Sequence, residues 1–233
     1  ESSSESMNFA TATFLWGEVT NQSEIRDLGV FLHTTEAVAI DQYWFDVDNE
    51  TFPQSFSKNA LGMVWSSGGL HNTWFGSRPE FIHGINFLPI NGGSLYLGKH
   101  PEYILENYNS MLSDIGGNPT VWKDIFWKYI ALSDANLALS LYKADLNYEP
   151  FDGETRASTQ HWLFNIQKMG RVNSSVFADI SSYAVFVDRS NDTTYVAYNS
   201  GETERLVTFT DGFSMTVPAN TLSSYRTIHN EDE

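Results

Sequence analysis

Residues 101–134 run PEYILENYNSMLSDIGGNPTVWKDIFWKYIALSD, and this stretch sets the fold class. Pro101 stands where a helix begins and Gly116 follows where it ends. Proline's fixed φ suits the first helical turn, and glycine accepts the left-handed cap at no steric cost. A second run opens at Pro119, with Val121, Ile125, Tyr129 and Leu132 recurring every three or four residues. Two such helices joined by a short glycine-rich link form an antiparallel pair, and a partner from Ala135 to Ala144 extends the pattern. Further on, a helix from Ala157 to Met169 stops at Gly170. Towards the start, Ser4 to Trp16 sets Met7, Ala10, Phe14 and Leu15 at helical spacing and Gly17 is expected to end it. From Ser23 another helix places Ile25, Leu28, Phe31 and Leu32 on one side, continued by Val38 and Ile40.

Between these helices, Thr51 to Lys99 follows neither period and is dense in Gly, His and aromatic residues. Long irregular loops in a compact domain usually serve function, so the ligand face is placed here. After Arg171 the period falls to two: SYAVFVD, TYVAYN, RLVTFT and FSMTVP are separated by RSND, SGET and Asp211-Gly212, a hairpin signal. These strands predict an antiparallel β-meander, and the tail HNEDE reads as frayed. The expected division is residues 1–172 as a helical domain and 173–233 as a β segment packing on it.

Of the 233 residues, 41% are hydrophobic and 15% aromatic, which excludes a disordered chain. Against 29 Asp and Glu stand 13 Lys and Arg, a net charge of -16 that leaves no basic patch to neutralise phosphates, so nucleic acid is not an expected partner. A neutral substrate fits better. With no Cys, thiolate chemistry is closed and the compartment is not legible from thiols. No apolar run is long enough to cross a bilayer, so no membrane partner is expected. N-x-S/T sequons at Asn21, Asn49, Asn173 and Asn191 lean towards a secreted or cell-wall protein.

The chain opens Glu1-Ser2-Ser3-Ser4-Glu5-Ser6-Met7-Asn8. If Glu1 and Glu5 share a helix, their i,i+4 spacing sets two carboxylates on one face, where mutual repulsion makes them candidates for acid–base work. The plainer alternative is a capping box, since Ser2 and Glu5 match S-x-x-E. This octapeptide resembles the second catalytic signature of glycoside hydrolase family 81, the endo-β-1,3-glucanases. Similar blocks follow in the family's order: WFDVD at Trp44–Asp48, TWFGSRPEFIHGINFLPINGGSLYLG at Thr73–Gly98, HWLFNIQKMG from His161, and TYVAYNSGETERLVTFTDGFSMTVP. The resemblance covers nearly the whole chain.

It implies part of an (α/α)6 barrel followed by the small β segment, and inverting hydrolysis of β-1,3-glucan. In that chemistry an acid protonates the leaving oxygen while a carboxylate about 6.5 to 9.5 Å away deprotonates water. By the family's pattern the base is Glu1, and Glu5 supports the base or its water. The family's acid is an Asp in an earlier motif with His and Trp that nothing here matches. The chain is therefore expected to be the C-terminal part of a catalytic domain, inactive alone, with the N-terminal part of the same enzyme as its partner. Lacking its other helices, it is also expected to be unstable or oligomeric by itself.

Within the loop block, Trp74 is expected to stack on glucose, and His83 and Asn86 to hydrogen-bond hydroxyls. The bland alternative makes His83 a satisfied core histidine. Phe75 is expected to pack, as are Trp122, Phe126 and Trp127 on their helix. No cofactor is expected. No metal is expected either: no H-E-x-x-H or EF-hand loop is present, and Asp46, Asp48 and Glu50 read as a solvated turn. Two rival classes are a non-catalytic β-glucan-binding module, which has no need of an acidic pair at a helix start, and a helical scaffold, which has no need of ring-rich loops.

Overall fold

The computed structural model describes residues 2–228, so Glu1 and the tail 229–233 lie outside the described residues. The chain divides into two compact units, Glu1–Phe164 and Asn165–Glu233. The helices are α1 Ser3–Val19, α2 Ser23–Tyr43, α3 Pro79–Gly84, α4 Pro101–Ile115, α5 Lys123–Ala144 and α6 Arg156–Met169, with a 3-10 helix at Gly92–Lys99. Strands β1 Met63–Trp65 and β2 Gly68–Leu70 form a hairpin in the first unit. The second unit holds β3 Arg171–Val172, β4 Tyr183–Val187, β5 Thr193–Asn199, β6 Arg205–Thr208, β7 Ser214–Val217 and β8 Thr221–Thr227. The molecule is mainly α with small antiparallel sheets. No described helix is long and apolar enough to cross a membrane.

In the first unit the core is built around α5. Every residue from Asp124 to Leu132 is buried, as befits a helix with neighbours on all sides. Phe87 stacks on Tyr129 with ring centroids 3.7 Å apart, and Ile104 and Met111 of α4 are fully buried. The helix starts later than Pro119, because Trp122 sits in the left-handed region at φ 56. Phe126 and Trp127 are buried as expected, whereas Trp122 lies in the turn before the helix. Helical geometry breaks at Asp134, whose carboxylate accepts the N–H groups of Asn136 and Leu137 and so caps the second segment. The expected division at Ala135 follows from that cap. Gly116 closes α4 at φ 71, and Gly170 follows α6 at φ 95.

The pair α1 and α2 departs from expectation at a glycine. Gly17 does not end α1, which runs on to Val19; a Cβ there would lie 2.1 Å from the Arg26 nitrogen of α2. At Gly29 of α2 it would lie 2.3 Å from the Phe14 nitrogen. The two backbones thus meet at glycines rather than through a stripe of large side chains. Along the apolar side of α2, Ile40 is fully buried while Leu28 is 50% and Phe31 62% exposed. Gly29→Ala is expected to cost about 3 kcal/mol in chemical denaturation of the intact protein, because backbone must move to admit the methyl. Gly92→Ala, with nothing within 4 Å, is the control and should shift stability by no more than about 0.5 kcal/mol. Equal losses would show that α1 and α2 stand further apart.

In the second unit the strands do not run as a simple meander. The four-stranded sheet has the order β3-β4-β5-β8, and β6 pairs with β7 in a separate hairpin. Thr221 to Thr227 returns to pair antiparallel with β5, so β6 and β7 are an excursion between neighbours. Val185, Tyr195, Ala197, Val207, Phe209 and Val217 fill the core of this unit. The core draws on both sheets because an inward residue at every second position of each must be covered.

Candidate active site

The acidic pair and its serines open α1. Glu1 lies outside the described residues; Glu5 lies in the first turn and is exposed. Ser2 is left-handed at φ 62 and makes no side-chain cap, so the capping box does not form. Its Oγ lies 3.4 Å from that of Ser4. The next hydroxyls are taken by tertiary bonds. Ser3 Oγ donates to Asn86 Oδ1 at 3.0 Å, and the Ser3 N–H reaches the same oxygen at 3.4 Å. Ser4 Oγ–H is shared between the carbonyls of Ile85 at 3.1 Å and Leu88 at 2.5 Å. Asn8 Nδ2 donates to the Ser4 carbonyl, and Asn91 Nδ2 to Asn8 Oδ1. The start of α1 is therefore clamped onto residues 85–91, most deeply through Ser3 and Ser4, which orients the first turn without using Glu5.

This placement changes the reading of two candidates. Asn86 is 0% exposed, with Oδ1 on Ser3 and Nδ2 donating to the Leu61 carbonyl at 2.8 Å. It positions the start of α1 and offers no free atom to a hydroxyl. His83, also 0% exposed, donates from Nδ1 to Asn107 Oδ1 at 2.5 Å. Burial pushes its imidazole down to about 4, so the ring is neutral at physiological pH. Direct sugar contact by His83 and Asn86 does not fit these positions. The anchoring serines were absent from the sequence candidates, although three successive serines before an apolar helix were the available signal.

Trp74 is 84% exposed, as a stacking ring must be. Beside it Phe75 packs on Phe81 and Trp122, with centroids 5.3 and 6.2 Å apart, and Trp122 meets Phe81 at 4.8 Å and Phe151 at 5.3 Å. Phe75 thus packs as expected while one side stays exposed. This aromatic ledge is held by Glu80, buried in the first turn of α3, which accepts the Thr120 N–H and pairs with Arg78 at 3.1 Å. Burial alone would raise the Glu80 carboxyl, but bonds from Arg78 and the Thr120 backbone outweigh it and hold it below the usual carboxylate range. A depressed pKa contributes stability that is present above the unfolded value and is lost as pH falls through the folded one. Glu80→Gln should therefore cost about 1 kcal/mol at neutral pH, since Arg78 is exposed and screened. Its denaturation midpoint should converge with that of the native protein as pH falls through the folded pKa of Glu80; a gap of unchanged size at the acid end of the folded range would refute the assignment.

Asp46 is not part of a solvated turn. It is buried at φ 45, and its carboxylate accepts the N–H groups of Glu50, Thr51 and Phe52 at 2.8–2.9 Å. The loop so folded borders an open cavity of about 340 Å³ lined by Phe52, Phe56, Lys58, Tyr103 and Glu106 among others.

The family model described as "Glycosyl hydrolase family 81 C-terminal domain" matches residues 1–199. A "Glucan endo-1,3-beta-D-glucosidase" of Thermobifida fusca is 45% identical over 225 residues, covering 96% of this chain and 30% of that protein. The protein of the same description from Acetivibrio thermocellus is 43% identical over 224 residues, covering 96% of this chain and 29% of its own length. A "Primary septum glucan endo-1,3-beta-D-glucosidase" of Schizosaccharomyces pombe is 27% identical over 186 residues, 78% of this chain and 18% of that protein. A solved mutant structure of glycoside hydrolase family 81 from Clostridium thermocellum superposes with a TM-score of 0.91 at 43% identity, over 97% of this chain and 31% of that one. The chain spans about 30% of the length of the first two curated relatives.

Proposed function

Because the chain belongs to glycosyl hydrolase family 81, we propose that it is the part of a secreted or cell-wall endo-β-1,3-glucanase that supplies the general base of an inverting reaction. The observation that carries this reading is the 45% identity over 225 residues with a glucan endo-1,3-beta-D-glucosidase. Glu1 takes a proton from water as that water attacks the anomeric carbon. A carboxylic acid elsewhere in the intact protein protonates the departing oxygen, and the carboxylates stand about 6.5 to 9.5 Å apart to admit the water. Glu5, in the first turn of α1, hydrogen-bonds the base or its water. The serine clamp supports this role, since a base within reach of its proton is only as well placed as the backbone that carries it.

Trp74 offers a ring to a glucose face, and the net charge of -16 suits a neutral polymer. His83 and Asn86 act from behind, by holding α3 and the start of α1. The outward apolar sides of α1 and α2 fit the packing of further helices in an (α/α)6 barrel, in which these residues are one part of the ring.

Proton NMR of laminarin turned over by the intact protein tests the reaction. The α-anomer should appear first and the β-anomer only by mutarotation. A β-anomer as first product would overturn inversion, and binding of laminari-oligosaccharides by the intact protein without turnover would favour a glucan-binding module. The 233 residues alone should give no turnover, having no partner carboxylic acid to protonate the leaving group.

A further inference from the structure

We propose that His71, His83 and Asp114 form a binding site for a divalent transition-metal cation of the zinc type. His71 follows β2, His83 lies on α3, and Asp114 is in the last turn of α4; one ligand atom from each lies within 4.8 Å of the others. The tautomers are fixed by what the far side of each ring touches. His83 Nδ1 faces Asn107 Oδ1 at 2.5 Å, and an amide oxygen can only accept, so Nδ1 carries the hydrogen. His71 Nδ1 faces the Ala60 carbonyl at 2.8 Å and likewise donates. Both Nε2 atoms therefore present lone pairs in the neutral rings, and both point at Asp114 Oδ2, at 3.3 Å from His71 and 3.8 Å from His83.

Three acceptors converging on one point repel each other unless a cation lies between them. A proton on His71 relieves one contact. It does nothing for His83 Nε2, which is buried and hydrogen-bonds no described residue. A metal meets all three. With bonds of about 2.1 Å, tetrahedral donors lie about 3.4 Å apart, close to the 3.3 and 3.8 Å that separate Asp114 Oδ2 from the two nitrogens. Imidazole ligands whose Nδ1–H groups are pinned by oxygen acceptors are the usual outer support of such sites. Two nitrogens and one oxygen favour zinc, cobalt or nickel over calcium or magnesium, which require oxygen ligands. Asp114 spends its other oxygen on Lys58 at 2.5 Å, which leaves Oδ2 directed to the histidines.

The intact, untagged protein, stripped on a chelating resin, would be titrated calorimetrically with zinc chloride alone and, separately, with cobalt chloride while visible d–d bands are followed. One equivalent should bind. His83 is buried in the core, so its loss would confuse site with fold; His71 and Asp114 reach the surface and are the informative positions. His71→Ala and Asp114→Asn should each weaken uptake by more than about 100-fold, because even a supporting residue is worth about 10- to 100-fold, with the circular dichroism spectrum unchanged. No uptake by the native protein, or unchanged uptake in either variant, overturns the proposal.

Discussion

Replacing Glu1 by Gln in the intact protein is expected to lower kcat on laminarin by about 10²- to 10⁴-fold, the contribution of a positioned general base. Gln is nearly isosteric, so the glucan still binds and KM moves little; the loss lies in the transition state. The pH profile separates a base from a merely structural glutamate. Removing the base abolishes the acidic limb of kcat/KM, because no carboxylate is left there to be protonated. Glu5→Gln should lower kcat less and keep that limb, since Glu1 still titrates. A Glu1→Gln enzyme with native kcat would remove the proposed mechanism altogether.

The second large effect lies in the core of the first unit. Lys128 of α5 is 0% exposed, and its ammonium meets Glu154 at 2.6 Å and Ser158 Oγ at 3.1 Å. Lys128→Met is expected to destabilise by about 3–5 kcal/mol, because it strands the Glu154 carboxylate in a site built for a cation. Replacing both, as Lys128→Met with Glu154→Gln, should restore most of that loss, since two neutral groups no longer require each other's charge. Chemical denaturation of the four proteins in the cycle measures the coupling. A double variant as unstable as the single would mean that Lys128 acts through the packing of its methylenes, not its charge.

What the sequence made legible was local. Pro101 and Gly116 bound α4 because their φ preferences act at their own positions, and the break at Asp134 followed from an acid that caps its own helix. What stayed hidden depended on partners far along the chain. Gly17 has the signature of a helix end, and only the approach of Arg26 shows that it serves close packing. The apolar side of α2 is legible from periodicity, which finds a stripe and not its neighbour. Polar TLSSYRT gives no strand signal of its own, yet β5 supplies its hydrogen-bond partners. In the site, Trp74 is exposed, whereas His83 and Asn86 are buried among partners distant in sequence, Asn107, Ser3 and Leu61. His71 and Asp114, 43 positions apart, match no metal motif because the fold alone joins them.

The clamp at the start of α1 has a kinetic side. Ser3 and Ser4 find their partners 81 to 84 positions later in the chain. A helix turns up in about a microsecond from nearby contacts, whereas closing so wide a span waits on the chain in between. After dilution from denaturant, ellipticity should thus recover ahead of sugar release. The delay between the two would time the moment at which Ser3 and Ser4 dock.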